Sequence, residues 1–480
     1  MKDLINRIKA YSIDNKLVLL LLTGMSVFLL VAYLLAAFRS YVNADAGYYL
    51  GTVELIHQGY VPYRDFSLGY TPLFFYALQI PRLFMGDYPC YAGYMLFLYL
   101  IVLLDSVLLA VMVKKITKSI KLAWFSGLVF LVLYYYLEGS YFILEAFSVC
   151  FGLVSILLLL GEEVKFWRFF MAGAFSALSF LSKQYGLLFA GVIGVMMLMS
   201  DEVWKKRLWN CLSAMLGFCM VMALFFLLFF ISGLRPDALI DALSGSGYGG
   251  QSVKMYLDGL VRSFKLFPYL LFLSCLFYKQ NKTNMAMVLG CVAGLLLASL
   301  QFYYNGFSHY FIYMLPFVLI LNALLWKRLK SQKVSPMLFL LYFGVLFTAV
   351  ALPMQGVYKN SDTLAKHDYR KLQIETANQL RQISKTYNCK SALCYWNTIQ
   401  YYALCPFQPS AMEKYSFAFG YDNEKTYCER LEDADCFLVR ASDTVEIFRM
   451  RTFGANLADD FRLIDVELPD GAIVFVRNTK

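Results

Sequence analysis

Eleven apolar segments, separated by connections that alternate between basic and nearly uncharged, constrain this chain more than any other feature. They run over residues 17–38, 91–113, 122–137, 142–160, 169–182, 185–200, 209–232, 266–278, 285–300, 310–326 and 335–354. In hydrocarbon every backbone polar group needs an internal partner, so a spanning segment of this length is a helix. Several runs fall short of the roughly 17 residues a bilayer core requires, so their ends extend into the flanks or the local bilayer thins. The chain is 60% hydrophobic and 16% charged, against roughly a quarter charged in a soluble domain. That balance excludes a disordered regulator, a collagen-like fibre and a small disulfide-stapled secreted domain.

The net charge of +10 is unevenly spread, with +11 in residues 1–356 and −1 in residues 357–480. An excess confined to the apolar part reads as basic flanks of membrane helices, not as a nucleic-acid surface. The basic connections contain Lys114/Lys115/Lys118/Lys121, Lys165/Arg168, Lys205/Lys206/Arg207, Lys279/Lys282 and Lys327/Arg328/Lys330/Lys333. With the N-terminus in the cytoplasm, the positive-inside pattern holds throughout. It predicts a multi-pass protein of the inner or plasma membrane, with residues 39–90, the turns near 138 and 183, the 233–265 and 301–309 connections and the C-terminal segment on the outer face.

The first run, Leu17–Phe38, exceeds the roughly 7–15 residues of a signal-peptide core and is expected to be a retained helix. Residues 39–90 form a semi-polar, aromatic first loop, in which Ala46–Gln58 and Pro72–Phe84 suit helices lying in the interface. From about residue 357 the composition becomes that of a soluble domain. A helical pattern over Asp362–Tyr387 precedes strand-like runs at Ser391–Trp396, Cys436–Val439, Phe461–Glu467 and Ala472–Val476. The predicted fold is therefore mainly α: a polytopic membrane helical bundle of about 11 transmembrane helices over residues 1–356, with a small soluble α+β domain over 357–480. Cys389, Cys394, Cys405, Cys428 and Cys436 lie in that domain without zinc-like spacing, so one or two disulfides are expected there.

Polar residues converge on the predicted outer face: Asp45, Arg64, Asp65, Glu138, Glu145, Lys183 and His309. Four of them have a structural reading beside a functional one. Asp45 reads as a helix N-cap or as a general base. Glu145 reads as a charge on a helix N-terminus or as a second acidic site residue. Lys183 reads as a snorkelling helix end or as an anion clamp, and His309 as a satisfied interface residue or as a ligand contact. Tyr48 and Tyr49 are interface anchors or sugar-stacking rings. Asp105 lies mid-span and is expected to hydrogen-bond inside the bundle. Ser244–Gly250 follows no strand, so it is no dinucleotide fingerprint; it reads as an external loop or a lid.

The order of a hydrophobic helix, an acidic residue with neighbouring tyrosines, Gly59–Phe66 (GYVPYRDF) and Tyr70–Tyr76 (YTPLFFY) resembles the first external loop of GT-C fold glycosyltransferases, which include protein mannosyltransferases and lipid A aminoarabinose transferases. Leu144–Phe147 (LEAF) resembles the second acidic position, Phe180–Gln184 (FLSKQ) a small-residue helix ending in Lys, and His309–Tyr310 before Pro316 the stretch preceding a late helix. The resemblance implies a cell-envelope enzyme that takes a sugar from a polyprenyl-phosphate donor and gives it, with inversion, to a glycan, lipid or protein acceptor, without nucleic acid. It implies Asp45 as the base, Glu145 as the second acidic residue, and Tyr48, Tyr49 and Tyr70 as sugar or acceptor contacts. Related transferases often carry Lys and two prolines where this chain has Tyr70, Thr71 and Pro72, so the donor phosphate charge falls to Lys183, Arg64 or His309. Metal dependence is open, since a divalent metal is possible but the neighbourhood of Asp45 has no Asp-x-Asp pair to support it, and no cofactor is certain. The alternative is a non-catalytic lipid or solute transporter or flippase, which related halves or deep charges in several helices would favour.

Overall fold

The structure, a computed structural model, describes residues 2–66, 68–86, 90–160, 165–233, 235–236, 239, 252–268, 270, 282–303, 307–331, 336–395, 398–405, 407–410, 424–444, 447 and 450–478. Among these, seven helices are long and apolar enough to cross a membrane: Leu20–Arg39, Tyr91–Thr117, Ile120–Gly139, Trp204–Ile231, Met285–Tyr303, Ser308–Leu329 and Leu340–Lys366. Three shorter apolar helices, Glu145–Leu159, Phe166–Ser182 and Gln184–Leu198, occupy the segments 142–160, 169–182 and 185–200, whereas the short runs 122–137 and 285–300 extend into spanning helices. The remaining segment, 266–278, lies mostly outside the described residues, as does the Ser244–Gly250 stretch.

Helix α1 (Lys2–Arg39) leads through a four-residue break into α2 (Ala44–His57), followed by the short α3 (Leu73–Ala77) and α4 (Gln79–Arg82). The first loop thus folds back on the bundle. Arg82 Nε donates to Glu54 Oε1 at 2.8 Å and Oε2 at 3.0 Å, and the Tyr94 hydroxyl donates to Oε1 at 3.1 Å. These contacts tie α2 and α4 to α5 (Tyr91–Thr117). Lys118 closes α5 in the left-handed region, and Ser119 caps α6 (Ile120–Tyr134) by accepting from Leu122 N.

At its far end α6 passes into a π turn over Tyr135–Gly139, where Leu137 leaves the helical region and Glu138 takes φ 71°. The chain reverses there into α7 (Glu145–Leu159), which packs along α8 (Phe166–Ser182). Small residues permit that approach: Ser179 Oγ donates to Ser148 O at 2.7 Å, and a Cβ on Gly186 would sit 2.3 Å from Ser179 O. Close backbone contact through small residues is how membrane helices pack where lipid offers no hydrophobic driving force. Helices α9 (Leu188–Leu198), α10 (Trp204–Ile231), α11 (Val253–Leu266), α12 (Lys282–Ser299) and α13 (Leu315–Ser331) complete the bundle.

Helix α14 (Pro336–Lys366) carries the chain into the C-terminal part. The helical pattern read over Asp362–Tyr387 is broken at His367–Asp368, where Asp368 accepts from Lys371 N and caps a new helix, α15 (Tyr369–Tyr387). A five-stranded sheet follows, in the order β2-β1-β3-β5-β4. Its strands are β1 (Ser391–Cys394), β2 (Gln408–Pro409), β3 (Cys436–Arg440), β4 (Phe461–Leu463) and β5 (Ala472–Arg477). β1 runs parallel to β2 and β3, whereas β5 pairs antiparallel with β3 and β4. The two-residue β2 has no run of strand-forming residues to announce it.

The five cysteines of this part are free thiols, contrary to the expected disulfides. Cys389, Cys394, Cys405 and Cys436 are buried core residues, and burial pushes the Cys394 and Cys405 thiols up. They serve as small apolar side chains, a use open to any buried cysteine.

The C-terminal part is locked onto the end of α1 and onto α2. Arg370 donates to the Ala37 carbonyl and, at 2.8 Å, to Ser40 O, capping the carbonyls that α1 leaves unpaired. Gln373 pairs with both backbone groups of Val42 at 2.7 and 3.0 Å. Gly47 of α2 touches Gln400 so closely that a Cβ would lie 2.4 Å from its Cα. Backbone cannot retreat from such a clash as a flexible side chain can. Gly47→Ala is therefore expected to destabilise the protein by about 1–3 kcal/mol, read as a lower unfolding temperature in detergent despite alanine's better helix propensity.

Candidate active site

The break between α1 and α2 delivers Asp45. Asn43 is the N-cap, accepting from Ala46 N at 2.9 Å, and Asp45 is the second residue of the helix, within its first turn. The capping role read for Asp45 is thus taken by its neighbour, and its carboxylate makes no hydrogen bond among the described residues. Asp45 keeps part of its surface open. Burial, the largest influence, raises its pKa above the usual carboxylate range; His309 and Lys183 pull it down, and Glu145 and Glu138 push it up.

Those four residues form one connected chain. Glu145 opens α7, Lys183 ends α8, and the serine-lined contact of the two helices brings them together. Lys183 Nζ donates to Glu145 Oε1, with both side chains almost wholly buried. His309 Nε2 lies 3.8 Å from the same carboxylate oxygen, and its Nδ1 lies 2.7 Å from Glu138 Oε2. The left-handed backbone at Glu138 turns its side chain toward the 3₁₀ segment Ser308–Met314 that carries His309. The Lys183 ammonium is also caged by rings, 5.7 Å from Tyr70, 5.9 Å from Tyr185 and 5.2 Å from Tyr310. Thr71 Oγ1 donates to Phe180 O at 3.0 Å and staples the first loop to the end of α8.

Of the residues singled out from sequence, Asp45, Glu145, Lys183 and His309 come together here. Lys183, 1% exposed, is an ion-pair partner and not a snorkelling side chain. Tyr48 and Tyr49 are buried, with Tyr49 edge-on to Tyr70 at 5.5 Å and its hydroxyl 3.4 Å from that of Tyr70. Their rings are committed to packing and offer no open stacking face. Arg64 forms no hydrogen bond or ion pair with Asp45, Glu145, Lys183 or His309; it grips Asp65 through two hydrogen bonds of 2.9 and 2.7 Å and donates to Ser232 O at 3.2 Å, with nearly half its side chain exposed. That pairing holds the Asp65 carboxyl below the usual carboxylate range. Asp105 is fully buried, and neither carboxylate oxygen has, among the described residues, the hydrogen-bond partner expected of it inside the bundle.

Sequence reasoning grouped Glu138 with the other polar residues without making it a site residue, and it missed Tyr185, Tyr310 and Arg235. The exposed Arg235 is drawn next to Arg64 by its own N–H, which donates to Tyr63 O at 3.2 Å. Only the clustering of tyrosines around the two turns hinted at the cage. No group of three or more metal-ligating side chains occurs among the described residues.

The architecture matches solved structures over nearly the whole chain. A crystal structure of ArnT from Cupriavidus metallidurans bound to undecaprenyl phosphate superposes with TM-score 0.63 at 14% identity, covering 96% of this chain and 98% of that one. The chain has the GT-C fold. The apo form of the same protein gives 0.62 at 12% identity, covering 95% and 97%. The Archaeoglobus fulgidus oligosaccharyltransferase tethered to an acceptor peptide gives 0.52 at 11%, covering 95% of this chain and 74% of that one. No family model matches the sequence, and no curated protein matches it significantly. In this GT-C chain, then, the likeness lies in backbone architecture, and the chemistry is argued from its own side chains.

Proposed function

We propose that the chain is an integral membrane glycosyltransferase that moves a sugar from a polyprenyl-phosphate donor to an envelope glycan, lipid or protein acceptor. The observation that carries this reading is Asp45: a half-buried residue whose carboxyl pKa is raised, freed from capping by Asn43 and set beside a connected chain of four charged or ionisable side chains. The fold supports it, since one relative in shape was crystallised with undecaprenyl phosphate and another with an acceptor peptide.

In the proposed step Asp45 accepts the proton of the acceptor hydroxyl while that oxygen attacks the anomeric carbon. The bond from that carbon to the phosphate oxygen breaks, its electron pair leaves with the lipid phosphate, and the configuration inverts. A phosphate is already a stable anion, so it needs cationic contact instead of a general acid.

The contacts favour Arg64 over Lys183 for that role. Freeing Lys183 for a phosphate would leave Glu145 buried and uncompensated, which is costly. The exposed Arg64–Asp65 pair is worth little and exchanges readily, and the Arg235 backbone is hydrogen-bonded to the residue before Arg64. Lys183 and His309 then act as positioning residues that fix Glu145 and Glu138 and set the field at Asp45. The test uses undecaprenyl phosphate as the probe with purified protein. Binding should weaken roughly tenfold or more in Arg64→Ala, with Arg64→Lys intermediate because a point charge replaces a fork, and with unfolding unchanged in both. Unaltered binding in Arg64→Ala would return the phosphate to Lys183 or His309. The topology belongs to the same reading: a reporter fused after Asn360 should report the outer face, and one after Lys121 the cytoplasm.

A further inference from the structure

Helices α1, α5 and α6 enclose an apolar groove of about 600 Å³ that runs along most of their length. Its concavity comes from small residues, Ser106 and Ala110 on α5 and Ala123 and Gly127 on α6. Gly127 approaches α5 so closely that a Cβ would lie 3.0 Å from Ser106 Oγ. Leucines and valines form the walls, and Trp124 stands exposed at the rim. The serine hydroxyls are spent on backbone carbonyls, Ser106 on Gly127 O at 2.9 Å and Ser26 on Leu22 O at 2.8 Å. Tyr33 and Tyr99 also line it, the Tyr33 hydroxyl donating to Leu131 O at 2.8 Å and the Tyr99 hydroxyl buried, so the groove presents mostly hydrocarbon along its length.

One charged residue lines it, and that residue is at its end. Lys114 lies at the C-terminus of α5, exposed and without an ion-pair partner among the described residues, with Lys115, Lys118 and Lys121 following on the same connection. From Leu96 to Lys114 the α5 wall extends about 27 Å at 1.5 Å per residue, close to the thickness of a bilayer core. A slot of this kind suits a hydrocarbon chain whose anionic head sits at the basic end.

We propose that this groove binds an anionic phospholipid, with one acyl chain on the small-residue floor and the phosphate against Lys114. The charge complementarity selects it over a zwitterionic lipid. The carrier lipid of the proposed reaction is disfavoured, because its phosphate must lie near Asp45, at the opposite end of α5 from Lys114. The site stands independently of the transfer chemistry.

The test is native mass spectrometry of the purified full-length chain in a neutral detergent, titrated with phosphatidylglycerol or phosphatidylcholine. One phosphatidylglycerol should be retained per chain in preference to phosphatidylcholine. Lys114→Gln should lower its retention roughly fivefold, whereas Lys114→Arg should keep it. Ala110→Phe, which fills the floor, should abolish retention, and unchanged unfolding in Lys114→Gln separates lost binding from misfolding. Equal retention of the two lipids, an unaffected Lys114→Gln, or full retention by Ala110→Phe would each overturn the assignment.

Discussion

Asp45→Asn is expected to lower sugar transfer by about 10²- to 10⁴-fold, the usual contribution of a general base, without lowering stability. The two halves of this result come from the same environment. Burial raises the Asp45 pKa, so the native protein holds that proton more tightly than the unfolded chain does. Stability is then greatest below the ordinary carboxylate range and falls as the pH rises through the raised value. Asparagine removes that loss, and since Asn43 already caps α2, no cap is sacrificed. The acid limb of the wild-type transfer rate should accordingly centre above the ordinary carboxylate pKa of about 4 and should vanish from the residual activity of Asp45→Asn. An Asp45→Asn protein that unfolds earlier than the wild type would show that the carboxylate has a structural task instead.

The second large effect concerns Lys183 and Glu145. Both side chains are almost fully buried, and removing one partner strands a charge where water cannot reach it. Lys183→Met or Glu145→Gln alone is expected to cost about 3–5 kcal/mol, while the double variant, which buries no unpaired charge, should recover much of that. Chemical unfolding of the four proteins in one detergent provides the double-mutant cycle. A positive coupling of several kcal/mol marks a structural pair. Near-zero coupling, with Lys183→Met stable and defective only in donor binding, would restore Lys183 as the phosphate contact.

Much of the fold was legible because membrane insertion writes itself locally. Apolar length and the basic residues at Lys114–Lys121, Lys205–Arg207 and Lys327–Lys333 marked the helices, and α2, β1, β3, β4 and β5 began within two residues of their expected starts. The break before Asp368 was missed because the helical periodicity continues across it and only the capping geometry interrupts it. The site was legible as a set of residues on one face but not as a set of pairs. Nothing in the spacing says that His309 meets Glu138, 171 positions earlier, since that contact depends on the left-handed turn at Glu138. Nor does composition show that Lys183 is already neutralised by Glu145, or that Tyr48 and Tyr49 face inward. Those facts arise where α7, α8 and the first loop converge, through contacts between Ser148 and Ser179 and between Thr71 and Phe180 that no single segment encodes.

The central claim, that Asp45 serves a sugar transfer from a polyprenyl-phosphate donor, is tested most directly by presenting the purified protein in lipid nanodiscs with radiolabelled polyprenyl-phosphate sugars and an envelope extract as acceptor. The account predicts movement of label from at least one donor into the acceptor fraction, with release of polyprenyl phosphate, by the wild type and not by a folded Asp45→Asn protein. Transfer by the two proteins at equal rates, or no turnover of any such donor by a well-folded wild type, would contradict it.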